Sequence, residues 1–112
     1  MLRVNDITSE VIQRHTLLVD DFEIVIQLRF FPAVEIWQLS VELGEKDING
    51  IKLSAGVLHM RGYNYPFDFV VALTDSSGID PFRIDDFETG RCELYYVTAN
   101  EMVEIRGLEV QS

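Results

Sequence analysis

Few side chains in this sequence could run a reaction. The histidines are His15 and His59, and the one thiol is Cys92. They fall into no CxxC, HExxH or His-rich spacing, which is what a zinc site requires. The run from Asp75 to Asp80 has the outline of a calcium loop. It lacks the alternating oxygen ligands and the closing Glu, so it reads as a turn. Asp20-Asp21 and Asp85-Asp86 are paired carboxylates of the kind a glycosidase uses. Adjacent turn residues usually both face water, however, and no base, orienting group or oxyanion donor can be named beside them. A G-x-S-x-G elbow and a Gly-rich phosphate cradle are both missing. The sequence therefore predicts no catalytic, cofactor-binding or metal-ligating residue, and a small two-carboxylate hydrolase is the weakest functional reading.

Recognition of another protein is better supported. Tyr63, Tyr65 and Phe67 crowd into G-Y-N-Y-P-F, and tyrosine suits interfaces because it buries area and keeps a polar tip. The competing reading is that these rings close one end of the core. Asp85, Asp86 and Phe87, on a long acidic segment spanning 79–90, complete the candidate interface set.

The elements that must position these residues are strands. Gln13–Val19 is rich in extended formers, and Phe22–Phe31 alternates with Phe22, Ile24, Ile26, Leu28 and Phe30 on one face. Asp20-Asp21 between them reads as a tight hairpin turn. Pro32-Ala33 ends the second strand, because proline cannot donate to a ladder. Val34–Leu43 is the third strand, with the only tryptophan, Trp37, sharing a face with Leu39 and Val41. The sequence then predicts a polar loop over 44–50 closed by Asn49-Gly50, a strand resuming at Ile51, and a bend or bulge at Ser54-Ala55-Gly56. A short helical turn is expected over 57–60. Further strands are expected at Phe67–Leu73, Arg91–Thr98 and Met102–Val110. Residues 1–12 read as an arm, an edge strand or a short capped helical turn. The fold class is all-β: a small single-domain antiparallel β-barrel or sandwich of about six to seven strands, with the barrel over 13–110.

Composition agrees with one domain. The chain has 112 residues, of which 47% are hydrophobic, enough for a core at this size. The formal net charge is −10. That disfavours a nucleic-acid binder, which needs Lys and Arg to displace counterions, and docking on an anionic membrane. A single cysteine allows no internal disulfide and fits assembly in a reducing cytoplasm. Its alternation with Leu94 and Tyr96 marks Cys92 as a small buried hydrophobe. No apolar run approaches a signal peptide or a membrane span.

Four segments then stand in a telling order: I-W-Q-L-S-V-E, N-G-I-K-L-S-A-G-V-L, F-D-F-V-V-A-L-T-D and D-D-F-E-T-G-R-C-E-L-Y-Y-V. Preceded by the hairpin V-D-D-F-E-I-V-I-Q-L-R-F, this series resembles the baseplate plug family of contractile-tailed bacteriophages over about residues 16–98. Trp37, Leu39 and Val41 match the family's tryptophan strand. Gly50, Leu53, Gly56 and Leu58 match the next segment, and Asp75, Gly90, Leu94 and Tyr96 the end. Pro32, and Glu88-Thr89 before Gly90, depart from the pattern. The resemblance implies a structural virion protein without cofactor, assembled in the host cytoplasm. It would meet the baseplate hub and tail-tube proteins at the central axis, in several copies, and help close or connect the tail lumen. A different class of function, a β-barrel holding a small apolar ligand, is disfavoured by the large residues predicted inside, such as Phe30, Trp37, Phe69 and Tyr96.

Overall fold

The computed structural model describes residues 1–104. Among them seven strands form two antiparallel sheets: β1 (Leu2–Arg3), β2 (Ile12–Val19), β3 (Phe22–Phe31), β4 (Ile36–Leu43), β5 (Lys46–Lys52), β6 (Phe67–Leu73) and β7 (Cys92–Thr98). One sheet has the order β2-β3-β4-β5 and the other β1-β7-β6. The two sheets do not join, so the fold is a sandwich and not the closed barrel that the pattern equally allowed.

Strand alternation sets the core directly. Ile24, Ile26 and Leu28 on β3 and Trp37, Leu39 and Val41 on β4 have no exposed surface. They face Phe67, Phe69 and Val71 on β6 and Leu94 and Tyr96 on β7. Phe67 is in ring contact with Phe22, Tyr65, Phe69 and Tyr96, at centroid distances of 5.5–5.9 Å. Large, fully buried side chains occupy the space between the sheets.

The β2–β3 connection is the predicted two-residue turn. Asp20 and Asp21 have φ of 50° and 65°, the pair of positive values that a type I′ turn needs. The next hairpin differs from expectation. Lys46 pairs with Leu43, so Gly44-Glu45 is the turn and β5 runs through the predicted polar loop. Asn49-Gly50 lies inside the strand. Leu39 pairs with Ile51 and Val41 with Ile48, leaving two residues of β5 opposite Ser40. That is a β-bulge, and Gly50 supplies its positive φ of 74°.

After β5 the chain crosses to the other sheet and lies along the outer edge of β6. Ala55 bridges Val71, and the N–H groups of Gly56 and His59 donate to Val71 O and Phe69 O. The expected helical turn over 57–60 is instead this irregular crossing, whose Leu58, His59 and Met60 are buried. At the N-terminus β1 pairs with β7 as an edge strand, and residues 4–11 are not helical.

The expected last strand is not formed where it is described: a helix opens at residue 99 and includes Met102. The remainder of that predicted strand, 105–110, lies outside the described residues. The helix starts in a capping box. Glu101 N–H donates to Thr98 Oγ1 at 3.2 Å, and Thr98 N–H donates to Glu101 Oε1 at 3.0 Å. Met102 joins Leu58, Val97 and Val70 in a second apolar cluster on the outer face of the three-stranded sheet.

Candidate interaction surface

The six residues singled out by sequence separate into two exposed and four buried. Tyr63 is 52% exposed, in the turn after the crossing segment. Asp85 is exposed on the long loop between β6 and β7. Tyr65 and Phe67, by contrast, belong to the core, with Tyr65 set edge-on against Phe67. Their side chains are therefore packed into the sandwich and not presented at its surface.

Asp86 and Phe87 hold the loop down. The Phe87 ring meets Trp37 edge-on at 5.4 Å, and the Trp37 indole N–H donates to Arg83 O at 2.9 Å. Asp86 Oδ2 accepts the backbone N–H groups of Phe82 and Arg83 at 2.8 and 2.9 Å. The Arg91 guanidinium grips both of its carboxylate oxygens and also donates to Ile79 O and Asp80 O. Burial opposes ionisation of Asp86. The bonds from Arg91 and the two N–H groups outweigh it and hold the carboxyl below its ordinary pKa. The Arg91 guanidinium is correspondingly raised, first by Asp86. The loop is thus a stapled structure, with Asp85 and Glu88 left at its surface.

The potentially reactive groups have structural partners. His59 is buried; its Nε2 accepts Ser54 N–H at 2.9 Å, and its Nδ1 lies 2.7 Å from Phe69 O. His15 Nε2 lies 2.9 Å from Gln13 Oε1, and burial lowers its pKa against the opposing pull of Asp6. Burial pushes the Cys92 thiol up to about 11, so thiolate is scarce at neutral pH. Among the described residues no group of three or more His, Cys, Asp or Glu side chains is placed to hold a metal ion. No helix in the same range is long and apolar enough to cross a membrane.

Two features of the structure leave a mark in the sequence beyond the strand alternation. Thr98-Ala99-Asn100-Glu101 is a capping-box sequence. Ile48, Ile51 and Leu53 break the two-residue alternation by one position, the mark a bulge leaves on a strand.

The residues that carried the family resemblance are the frame of this fold. Trp37, Leu39, Val41, Leu53 and Leu94 are fully buried, and Gly50 makes the bulge. No curated protein matches the chain. A family model described as "Cyanophage baseplate Pam3 plug gp18" does match, from residue 2 to residue 100. That span takes in all seven strands, and the chain belongs to this family of phage baseplate plugs.

Proposed function

We propose that this protein is a non-catalytic structural plug at the central axis of a contractile-tail baseplate, in several copies. There it meets the hub and the tail tube and helps close or connect the lumen before contraction. The observation that carries the reading is the family match over residues 2–100, the whole of both sheets. The physical character of the chain supports it. A sandwich with a filled aromatic core resists deformation, and a net charge of −10 disfavours adhesion of DNA passing along the lumen. The buried free thiol Cys92 fits assembly in the host cytoplasm. Tyr63 and Asp85 are the members of the sequence-predicted interface set that remain open to a partner. The ligand-binding barrel has no observation in its favour, because the inner faces carry Trp37, Phe67, Phe69 and Tyr96 with almost no exposure.

Co-expression with the hub and tail-tube proteins of the same phage tests the reading. Retention of the plug on tagged hub or tube is expected, together with density for it on the axis of isolated tails. A plug that associates with neither protein and is missing from purified virions would overturn the proposal. Reversing exposed acidic positions, Asp85→Lys with Glu88→Lys, is expected to slow DNA ejection. Unchanged ejection would remove the proposed role of the charge.

A further inference from the structure

The two flanks of the sandwich are finished differently. On one flank the crossing segment covers the edge of β6, and β5 carries a bulge with Lys46, Asp47 and Lys52 exposed along it. Bulges and edge charges are the usual protections against unwanted strand pairing. On the other flank, among the described residues, β2 has no bulge and no strand covering it, and its exposed Arg14 is paired with Glu42 within the same sheet. Its eight residues contain no Pro or Gly and pair with β3 in unbroken register.

The hairpin fixes which groups of β2 are spare. Val11 O accepts Phe30 N–H at 2.8 Å. By the alternation of an antiparallel ladder, the odd-numbered residues bond to β3. Ile12, Arg14, Thr16 and Leu18 therefore turn their N–H and C=O groups outward, and among the described residues no strand pairs with that side. Two of these four also show large apolar side chains to solvent, Ile12 at 50% and Leu18 at 78% exposure.

We propose that the outer edge of β2 receives an extended strand from another baseplate protein, apolar at alternate positions and basic at its ends. The source of the strand rests on the plug reading; the edge itself rests on the geometry of β2. The charges select the partner. Glu10 stands before one end of β2 and Asp21 in the turn beyond the other, where Glu23 of β3 pairs with Leu18. None of these three makes an ion pair among the described residues, whereas Arg14 in the middle is already paired with Glu42 at 3.3 Å. Lys or Arg at both ends of an incoming strand answers these carboxylates, and apolar residues opposite Ile12 and Leu18 cover what is exposed. A second copy fits worse. Laid antiparallel with Ile12 across from Leu18, it sets Glu10 against Asp20 at both ends. The two adjacent registers set Arg14 on Arg14 or Ile12 on Asp20. Like charges directly opposite one another destabilise a strand pair.

The test uses the full chain co-expressed with the hub and tail-tube proteins of the same phage. Thr16→Pro removes one outward N–H and leaves the ladder to β3 intact. Leu18→Lys alters only an exposed side chain and keeps the test valid if the proline variant does not fold. Both variants are expected to retain the wild-type melting midpoint within a few degrees and to lose tenfold or more in retention by the partner that holds wild type. Wild-type retention should weaken with added NaCl, and the amides of Arg14 and Thr16 should become protected from exchange in the complex. Wild-type retention matched by both folded variants overturns the edge proposal and leaves the plug reading standing. Loss of retention for wild type itself overturns the plug reading, and the proposed partner with it. A wild-type dimer abolished by Thr16→Pro would assign the edge to a second copy. Amide protection in the free chain that disappears on truncation after Glu104 would assign it to this chain's own C-terminal residues. Either result overturns the proposal.

Discussion

Asp86 and Arg91 meet fork to fork: Arg91 Nε donates to Oδ1 at 2.9 Å and Nη2 donates to Oδ2 at 2.8 Å. Asp86 is 1% exposed, so removing the arginine would leave a buried carboxylate with only the two backbone N–H groups. Arg91→Ala is expected to destabilise the protein by about 3 kcal/mol, the low end for a broken buried pair because the guanidinium keeps some solvent contact. Arg91→Lys should recover less than half of that, since an ammonium cannot make the two-point contact. Urea unfolding measures both, and full recovery by lysine would contradict the geometric argument.

The same pair sets an acid limit. The folded-state pKa of Asp86 is depressed, so its stabilisation is complete above the unfolded carboxyl value of about 4. It is lost as pH falls from there through the depressed folded value. Asp86→Asn should lower stability at pH 7 and flatten the dependence of the unfolding free energy on pH below about 4. A parallel acid profile for wild type and variant would place the acid sensitivity elsewhere.

The bulge at Asn49-Gly50 predicts a modest and specific cost. A Cβ at Gly50 would meet only Gln38 Oε1, at an ordinary 3.5 Å. Gly50→Ala should therefore cost only the left-handed backbone term, about 1–2 kcal/mol. A larger loss in chemical denaturation would mean that the bulge reshapes the ladder.

This position also shows what the sequence could and could not convey. The β3 alternation from Ile24 to Phe30 needed no context, because one face of a strand in a two-layer fold is either in or out. Asn-Gly is ambiguous in itself: a type I′ turn and a β-bulge both want a residue at positive φ. The three-residue step from Ile48 to Ile51 separates the two, and it favours the bulge. The candidate interface set divides into buried and exposed residues for a different reason. Tyr65 and Phe67 have composition suited to a surface, but β6 turns Phe67 inward and Tyr65 follows it. Asp86 looks solvated beside Asp85, and only the return of the chain at Arg91 makes it a buried partner. That pairing is tertiary and leaves no periodic mark.

The helix that opens at residue 99 should depend on its cap. Thr98→Ala removes the oxygen that accepts Glu101 N–H and is expected to cost about 1 kcal/mol. Its effect should also reach Met102, which packs with Leu58 and Val97. Exchange at the amides of residues 101–104 should quicken in the variant while β3 amides remain protected. Equal quickening in both places would show instead that the helix and the sandwich unfold together.

Asp68 carries the opposite pH signature to Asp86. It lies on the outer face of β6 under the crossing segment, with no exposed surface. Its Oδ1 accepts three backbone N–H groups, from His59, Met60 and Phe69 at 2.8, 2.9 and 2.7 Å. Its Oδ2 is buried with no hydrogen-bond partner among the described residues. Burial raises the pKa, and the three donors only partly offset it. A raised folded-state value means the folded form binds the proton more tightly, so stability falls as pH rises from about 4 through that value. An asparagine keeps the accepting oxygen and removes the charge. Asp68→Asn is therefore expected to match or exceed wild type in melting temperature at pH 7, with the advantage disappearing at pH 3. Asp68→Ala leaves the Met60 and Phe69 N–H groups unanswered, with His59 N–H keeping its 3.3 Å bond to Phe69 O, and should lose about 2 kcal/mol or more at either pH. Melting temperatures of the three proteins at the two pH values decide the matter. If Asp68→Asn is the less stable protein at pH 7, the ionised carboxylate is worth more to the crossing segment than its burial costs.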